Sequence, residues 1–182
     1  MTITEWLLPT YRQMLQALAA WLRKAQEQEG ADALMAARLA PDMFPLSTQV
    51  RFACLQVHEG GHRLRHERLP SALDELLEEG RKGGERPGTI AEALSRIDEA
   101  LSYLDSMTST ALDDGAEGPL ALELPMGLAF DLDGERYARD WALPQFYFHV
   151  VTAYAILRKE GVEIGKADYV PHMFSYLRPG KG

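Results

Sequence analysis

Residues 145–160 are apolar on almost every side when wound as a helix at about 100° per residue. Phe146, Val150, Ala153, Tyr154 and Leu157 face one way, while Tyr147, Phe148, Val151, Ala155 and Ile156 cover most of the rest. A helix of this kind is expected to be enclosed by protein. Gln145, His149 and Thr152 make its one narrow polar strip. Polar groups on an enclosed helix need partners, because an unpaired one costs about 1–3 kcal/mol. The segment therefore predicts both the centre of the core and the first place to look for a site. Arg158 and Lys159 suit its negative end, and Gly161 suits the position after it.

Three more long helices follow from the same period. Residues 4–28 repeat Leu7, Tyr11, Met14, Leu18, Trp21, Leu22 and Ala25 at helical spacing, with Thr4 as the expected cap and Gly30 beyond the end. A short turn is expected at 31–37, and PDMFP at 41–45 is a rigid connection. Residues 46–66 carry Leu46, Val50, Ala53, Val57, Gly61 and Leu64 on one stripe. Ser71 is the expected cap of a short acidic helix ending near Glu79, followed by a mobile glycine-rich loop at 80–88. That loop lacks phosphate-loop spacing, and no Ser or Thr follows Lys82. Thr89 and Glu92 form a capping-box pattern ahead of Ile90, Leu94, Ile97, Leu101 and Leu104.

The period changes at 120–132. Leu120, Leu122 and Leu124 alternate, and Leu128, Phe130 and Leu132 do so after Pro125-Met126-Gly127. This predicts a β-hairpin that lays its apolar side on the helices, since two strands alone are marginal. Residues 134–143 read as a further helical piece, which Pro144 either kinks or separates from the central helix. The tail, from about 165, should be irregular. The pattern as a whole predicts a single mainly α domain over 1–182: an up-down four-helix bundle with a small hairpin before the last long helix.

Composition narrows the function classes. The 182 residues are 46% hydrophobic and 25% charged, with a net charge of −8. That acidity argues against nucleic-acid binding, which needs a basic face. A single cysteine, Cys54, excludes an intrachain disulfide. The opening MTITEWLLPTYRQ has no basic stretch followed by an apolar run, and no apolar segment reaches membrane-spanning length. A cytoplasmic protein with no membrane contact is expected.

ARLAPDMFPLSTQV at 37–50 and ALPQFYFHVVTAYAILRKEGVEIGKADY at 142–169 resemble an uncharacterised bacterial family, the domain of unknown function nineteen ninety-three. That family is grouped with DinB-like and YfiT-like proteins. The resemblance implies a DinB-like bundle, often a homodimer. In the wider superfamily many members bind a divalent metal through three histidines, one on the second helix and two four apart on the last, and some are thiol-dependent transferases. His149 matches the second of the late pair, but Gln145 stands four before it and Ala153 four after. The second-helix position falls between Phe52 and His58. The resemblance thus implies the fold more fully than the metal, for which zinc or nickel is the expectation.

His149 is the leading candidate for a metal ligand or proton carrier in a pocket with Gln145 and Thr152, a core histidine being the alternative. His58-Glu59-Gly60-Gly61-His62 has the short zinc-peptidase spacing. Its two glycines weaken the helix, and Arg65 and Arg68 occupy the places of the longer motif. His58, His62 and His66 drift about 40° per step around their helix, so His62 and His66 are expected on a solvated face. His58 is the one expected to reach inward, with Cys54 one turn earlier as a nucleophile or an inert core thiol; His58 and His62 are secondary metal candidates. Asp140 and Glu135 are candidate carboxylates near His149. The ligand and any reaction stay open, with a non-catalytic homodimer carrying a structural His149 as the alternative reading.

Overall fold

The computed structural model of the chain describes residues 1–124, 126–178 and 180. Helix α1 spans Ile3–Ala25, α2 Leu46–Leu64, α3 Ala72–Arg81 and α4 Ile90–Asp105. Strands β1 (Pro119–Glu123) and β2 (Ala129–Asp133) follow. The chain then runs through α5 (Gly134–Arg136), a π-helical turn (Tyr137–Ala142), α6 (Leu143–Lys159) and α7 (Lys166–Tyr169). Single 3-10 pieces cover Ala31–Ala36 and Pro171–Tyr176. The long helices α1, α2, α4 and α6 form the expected bundle. Helix α2 packs on α4 and α6, and α1 packs on the same two from across the core, so α1 and α2 are diagonal.

The apolar period of α1 is realised in full: Leu7, Tyr11, Met14, Leu18, Trp21, Leu22 and Ala25 are all buried. Its cap differs from the prediction. Thr2, rather than Thr4, accepts the Glu5 N–H, and the Glu5 carboxylate accepts the Thr2 N–H at 2.8 Å. Thr4 is buried and committed elsewhere. Its hydroxyl donates to Asp113 at 2.6 Å and accepts from the Leu112 N–H at 2.9 Å. The side chain that looked like a local cap is a long-range tie to the 108–118 loop.

Ser71 likewise makes no capping bond, whereas Thr89 and Glu92 form the predicted box. The glycine-rich segment after α3 is anchored rather than loose. The Thr48 hydroxyl donates to the Gly80 carbonyl at 2.7 Å and the Ser47 hydroxyl to the Gly83 carbonyl at 3.1 Å. Two hydroxyls in the first turn of α2 thus satisfy carbonyls that a free loop would turn to water.

On α6, Phe146, Val150, Ala153, Ile156 and Leu157 are fully buried, but Phe148 is 57% exposed and Val151 45%. Enclosure is therefore incomplete. Helices α1 and α2 cover two flanks, and a narrow apolar stripe faces outward. Tyr137–Ala142 runs straight into α6 as a π turn, with the Leu143 N–H bonded to the Ala138 carbonyl. The wider turn accommodates Pro144, which cannot donate and would crowd the carbonyl four residues back.

The hairpin pairs Leu120 with Leu132 and Leu122 with Phe130, antiparallel. Leu120 and Leu122 are buried as expected, while Phe130 and Leu128 remain exposed. Pro125 of the predicted turn lies outside the described residues; Gly127 supplies its left-handed corner at φ 82°. The hairpin joins the bundle by close backbone contact. A Cβ on Gly115 would stand 1.7 Å from the Leu64 carbonyl oxygen, and one on Gly134 would stand 2.0 Å from the Gly115 carbonyl oxygen.

The tail is more ordered than expected. The Trp21 indole donates to the Asp168 carbonyl at 2.8 Å, and the Tyr169 ring stacks on Trp21 at 5.7 Å. A buried indole N–H needs an acceptor, and α7 brings one. Pro179, Lys181 and Gly182 of the predicted irregular tail lie outside the described residues.

Gly115→Ala and Gly134→Ala should each cost about 2 kcal/mol or more in urea unfolding, because backbone must move to admit the methyl. The surface-turn change Gly127→Asn should cost well under half of that.

Candidate functional site

The buried end of α2 provides the partner that the polar strip of α6 required. His149 is 8% exposed, and its Nδ1 lies 2.9 Å from Gln49 Oε1. Gln49 is itself oriented by its amide nitrogen, which donates to the Phe44 carbonyl at 3.1 Å. With the amide nitrogen so used, Oε1 is an acceptor and the His149 proton sits on Nδ1. Nε2 makes no hydrogen bond among the described residues and is not one of the fully enclosed polar atoms. The imidazole ring packs edge-on against two aromatic rings, Phe52 at 5.4 Å and Phe148 at 5.3 Å between centroids, with Phe44 against Phe52. Burial in this apolar frame pushes the imidazole pKa down to about 4. At neutral pH the ring is thus uncharged, and its Nε2 lone pair has no hydrogen-bond partner among the described residues.

The other predicted members of this site behave differently. The Thr152 hydroxyl is consumed by its own helix, donating to the Phe148 carbonyl at 2.6 Å. Gln145 is half-buried one turn before His149. Asp140 is surface-exposed and bonded to Arg139, and Glu135 is exposed, so neither supplies a carboxylate to the imidazole.

His58 and His62 form a separate group. Both rings pack on Tyr103 of α4, at 4.5 and 5.1 Å, and His62 Nδ1 lies 2.8 Å from Glu67. His62 is therefore a packed residue with a carboxylate partner, while His66 is exposed at φ 54° just past α2. His58 lies nine residues along α2 from Gln49, roughly 13 Å by helical rise. The structure does not bring His58 or His62 to His149. Among the described residues no three His, Cys, Asp or Glu side chains stand where they could hold a metal ion together. Cys54 is fully buried, and burial pushes its thiol up to about 12. Burial of this kind disfavours the thiolate that a nucleophile needs.

The family described as Domain of unknown function (DUF1993) matches residues 4–170. The chain belongs to the DUF1993 family. A crystal structure of a DinB family member from Shewanella denitrificans is similar over 96% of this chain and 92% of that one, at 32% identity and a TM-score of 0.71. No curated protein matches. In this DUF1993 chain no helix among the described residues is long and apolar enough to cross a membrane.

The glutamate of the zinc-peptidase pattern has other neighbours in this DUF1993 fold. Burial raises the Glu59 carboxyl, against the opposing effects of Arg63 and Gln56. Tyr11 and Tyr137 lie close by, their hydroxyls raised chiefly by burial. Gly60 is required here, since a Cβ would stand 2.7 Å from the Tyr11 hydroxyl. The spacing motif thus dissolves into a packing contact for Tyr11 and a histidine pair on Tyr103.

His149 and His58 both have an ordinary value of 6.5, lowered to about 4 in the fold by burial first, and for His58 also by His62. The unfolded chain therefore binds more protons between pH 6.5 and 4. The stability that these neutral rings contribute is whole above pH 6.5 and is lost as pH falls toward 4. His149→Gln should flatten that decline by up to one proton, about 1.4 kcal/mol per pH unit, in urea titrations.

Proposed function

We propose that this DUF1993 protein acts by binding, taking a small ligand or a divalent ion such as zinc or nickel at Nε2 of His149. The observation that carries this reading is the 2.9 Å contact between His149 Nδ1 and Gln49 Oε1. A bond to one ring nitrogen decides which nitrogen stays free, and a fixed tautomer makes the free one a better-aimed acceptor or ligand. The low imidazole pKa supports it further, because a neutral ring coordinates a cation or accepts an N–H where an imidazolium does neither. A lone imidazole holds an ion weakly. The reading is therefore of an ion that brings its own ligands, or of an organic donor group seated between Phe52 and Phe148. A thiol-dependent transferase of the superfamily type would need further ligands, which Gln145 alone does not provide.

A second reading is favoured by one observation. Phe44, Phe148 and Val151 are all at least 45% exposed beside His149, as in an apolar contact between two copies of the chain. Here the bundle is a non-catalytic homodimer and His149 a structural pin.

Calorimetric titration of tag-free protein with zinc or nickel in phosphate-free buffer separates the two. The binding reading expects one site per chain, abolished by His149→Ala and shifted by Gln49→Leu. Absence of heat with wild-type protein rules out the ion and leaves the organic ligand. For the homodimer, sedimentation should show two chains together in wild type and one in Phe148→Asp, with no change in ion binding.

A further inference from the structure

A polar cavity lies on another side of α2, away from His149. Arg51 is two residues from Gln49, about 200° around the helix. It lines an open surface cavity of about 450 Å³ bordered by α3, α4 and the segment between them. Arg51 is only 5% exposed, and a guanidinium that deep needs compensation on every nitrogen. Its Nε reaches Glu79 at 3.3 Å, and its Nη1 donates to the Ser47 and Pro87 carbonyls at 3.2 and 3.3 Å. Its Nη2 makes no hydrogen bond among the described residues. That nitrogen is 2.9 Å from where a Cβ on Gly88 would stand. Gly88, at φ 70°, thus leaves open the floor that any side chain would fill.

The rest of the lining is unevenly satisfied. Each carboxylate of the lining already accepts at least one hydrogen bond. Glu79 bridges Arg51 and Arg96 with both carboxylate oxygens. Glu92 accepts from the Thr89 N–H and hydroxyl, and Glu99 accepts from Arg96 at 2.8 Å. Its donors are less engaged. Arg86 makes no side-chain ion pair and Ser95 no side-chain hydrogen bond among the described residues; both are solvent-exposed and line the same space as Arg51.

We propose that this cavity binds a small oxyanion, a phosphate or a carboxylate, through Arg51, Arg86 and Ser95. Two guanidiniums and a hydroxyl offer the charge-assisted, forked donors that such groups take. Arg51 is held in place by Glu79 and the two carbonyls, so its free nitrogen loses little freedom on binding. Glu92 lies on the same floor, within 2.4 Å of the Gly88 Cβ position. An anion that carries its own O–H, as hydrogen phosphate does, would donate it there. The volume exceeds that of phosphate alone and admits an ester or a larger acid.

Titration calorimetry on the full chain at low ionic strength tests this with sodium phosphate, with sodium acetate, and with sodium chloride as the control. The expected result is one saturable site for phosphate, absent with chloride, weakened roughly tenfold or more in Arg86→Gln and also weakened in Ser95→Ala. Amide NMR shifts should centre on Gly88 and Ser95. Acetate binding with the same variant dependence would assign the carboxylate as the ligand. His149→Ala should leave this binding unchanged, which keeps it distinct from the ion site. Heats equal to those of chloride for both anions, or binding indifferent to Arg86→Gln, would overturn the proposal.

Discussion

The bundle depends on one constraint: α6 is apolar enough to be drawn into the core, yet it carries an imidazole that cannot go in unpaired. Gln49 resolves this across 100 residues of chain. It receives the His149 proton on one end of its amide and hands its own N–H to the Phe44 carbonyl on the other. Two helices and the proline-bounded connection before α2 are thereby held by one side chain. Removing Gln49 would strand His149 inside, and an unsatisfied buried group costs more than a bond is worth when made. The same pairing fixes which ring nitrogen keeps its lone pair, so the structural requirement and the candidate chemistry are one arrangement.

Helix α2 carries this kind of duty on each of its faces. Ser47 and Thr48 hold the carbonyls after α3, and Arg51 reaches Glu79 and the segment before α4. His58 and His62 lie on the Tyr103 ring, and Gly60 admits the Tyr11 hydroxyl from α1. A helix with so many polar residues buried, Ser47, Thr48, Gln49 and Arg51 among them, earns its position through hydrogen bonds as much as through apolar area. Two of its histidines four apart on one helix face, His58 and His62, pack on one aromatic ring of α4.

Period and capping made most of the fold legible from the chain alone. The α1 stripe, the Thr89 and Glu92 box and the change to alternation at 120 all act through local geometry, which a single sequence displays. His149 was legible for the same reason, as the polar exception on an apolar helix. Gln49 was not, because its role depends on a residue far along the chain and a glutamine in a first helical turn looks like solvated surface. A signal was present, since Gln49 stands between Thr48 and Val50 in a run with few charges. Thr4 and the tail failed likewise: each has a long-range partner, Asp113 for the first and Trp21 for the second. The π turn before Pro144 was half visible, as the proline announced a break but not its form.

The account turns on the state of a single ring. Nitrogen-15 NMR of imidazole-labelled protein, followed from pH 8 to pH 4, reads that state directly. The expected spectrum has His149 neutral, protonated on Nδ1, with a midpoint depressed toward 4 and a shift in tautomer on Gln49→Leu. A His149 that titrates at its ordinary 6.5, or carries its proton on Nε2, would contradict the account.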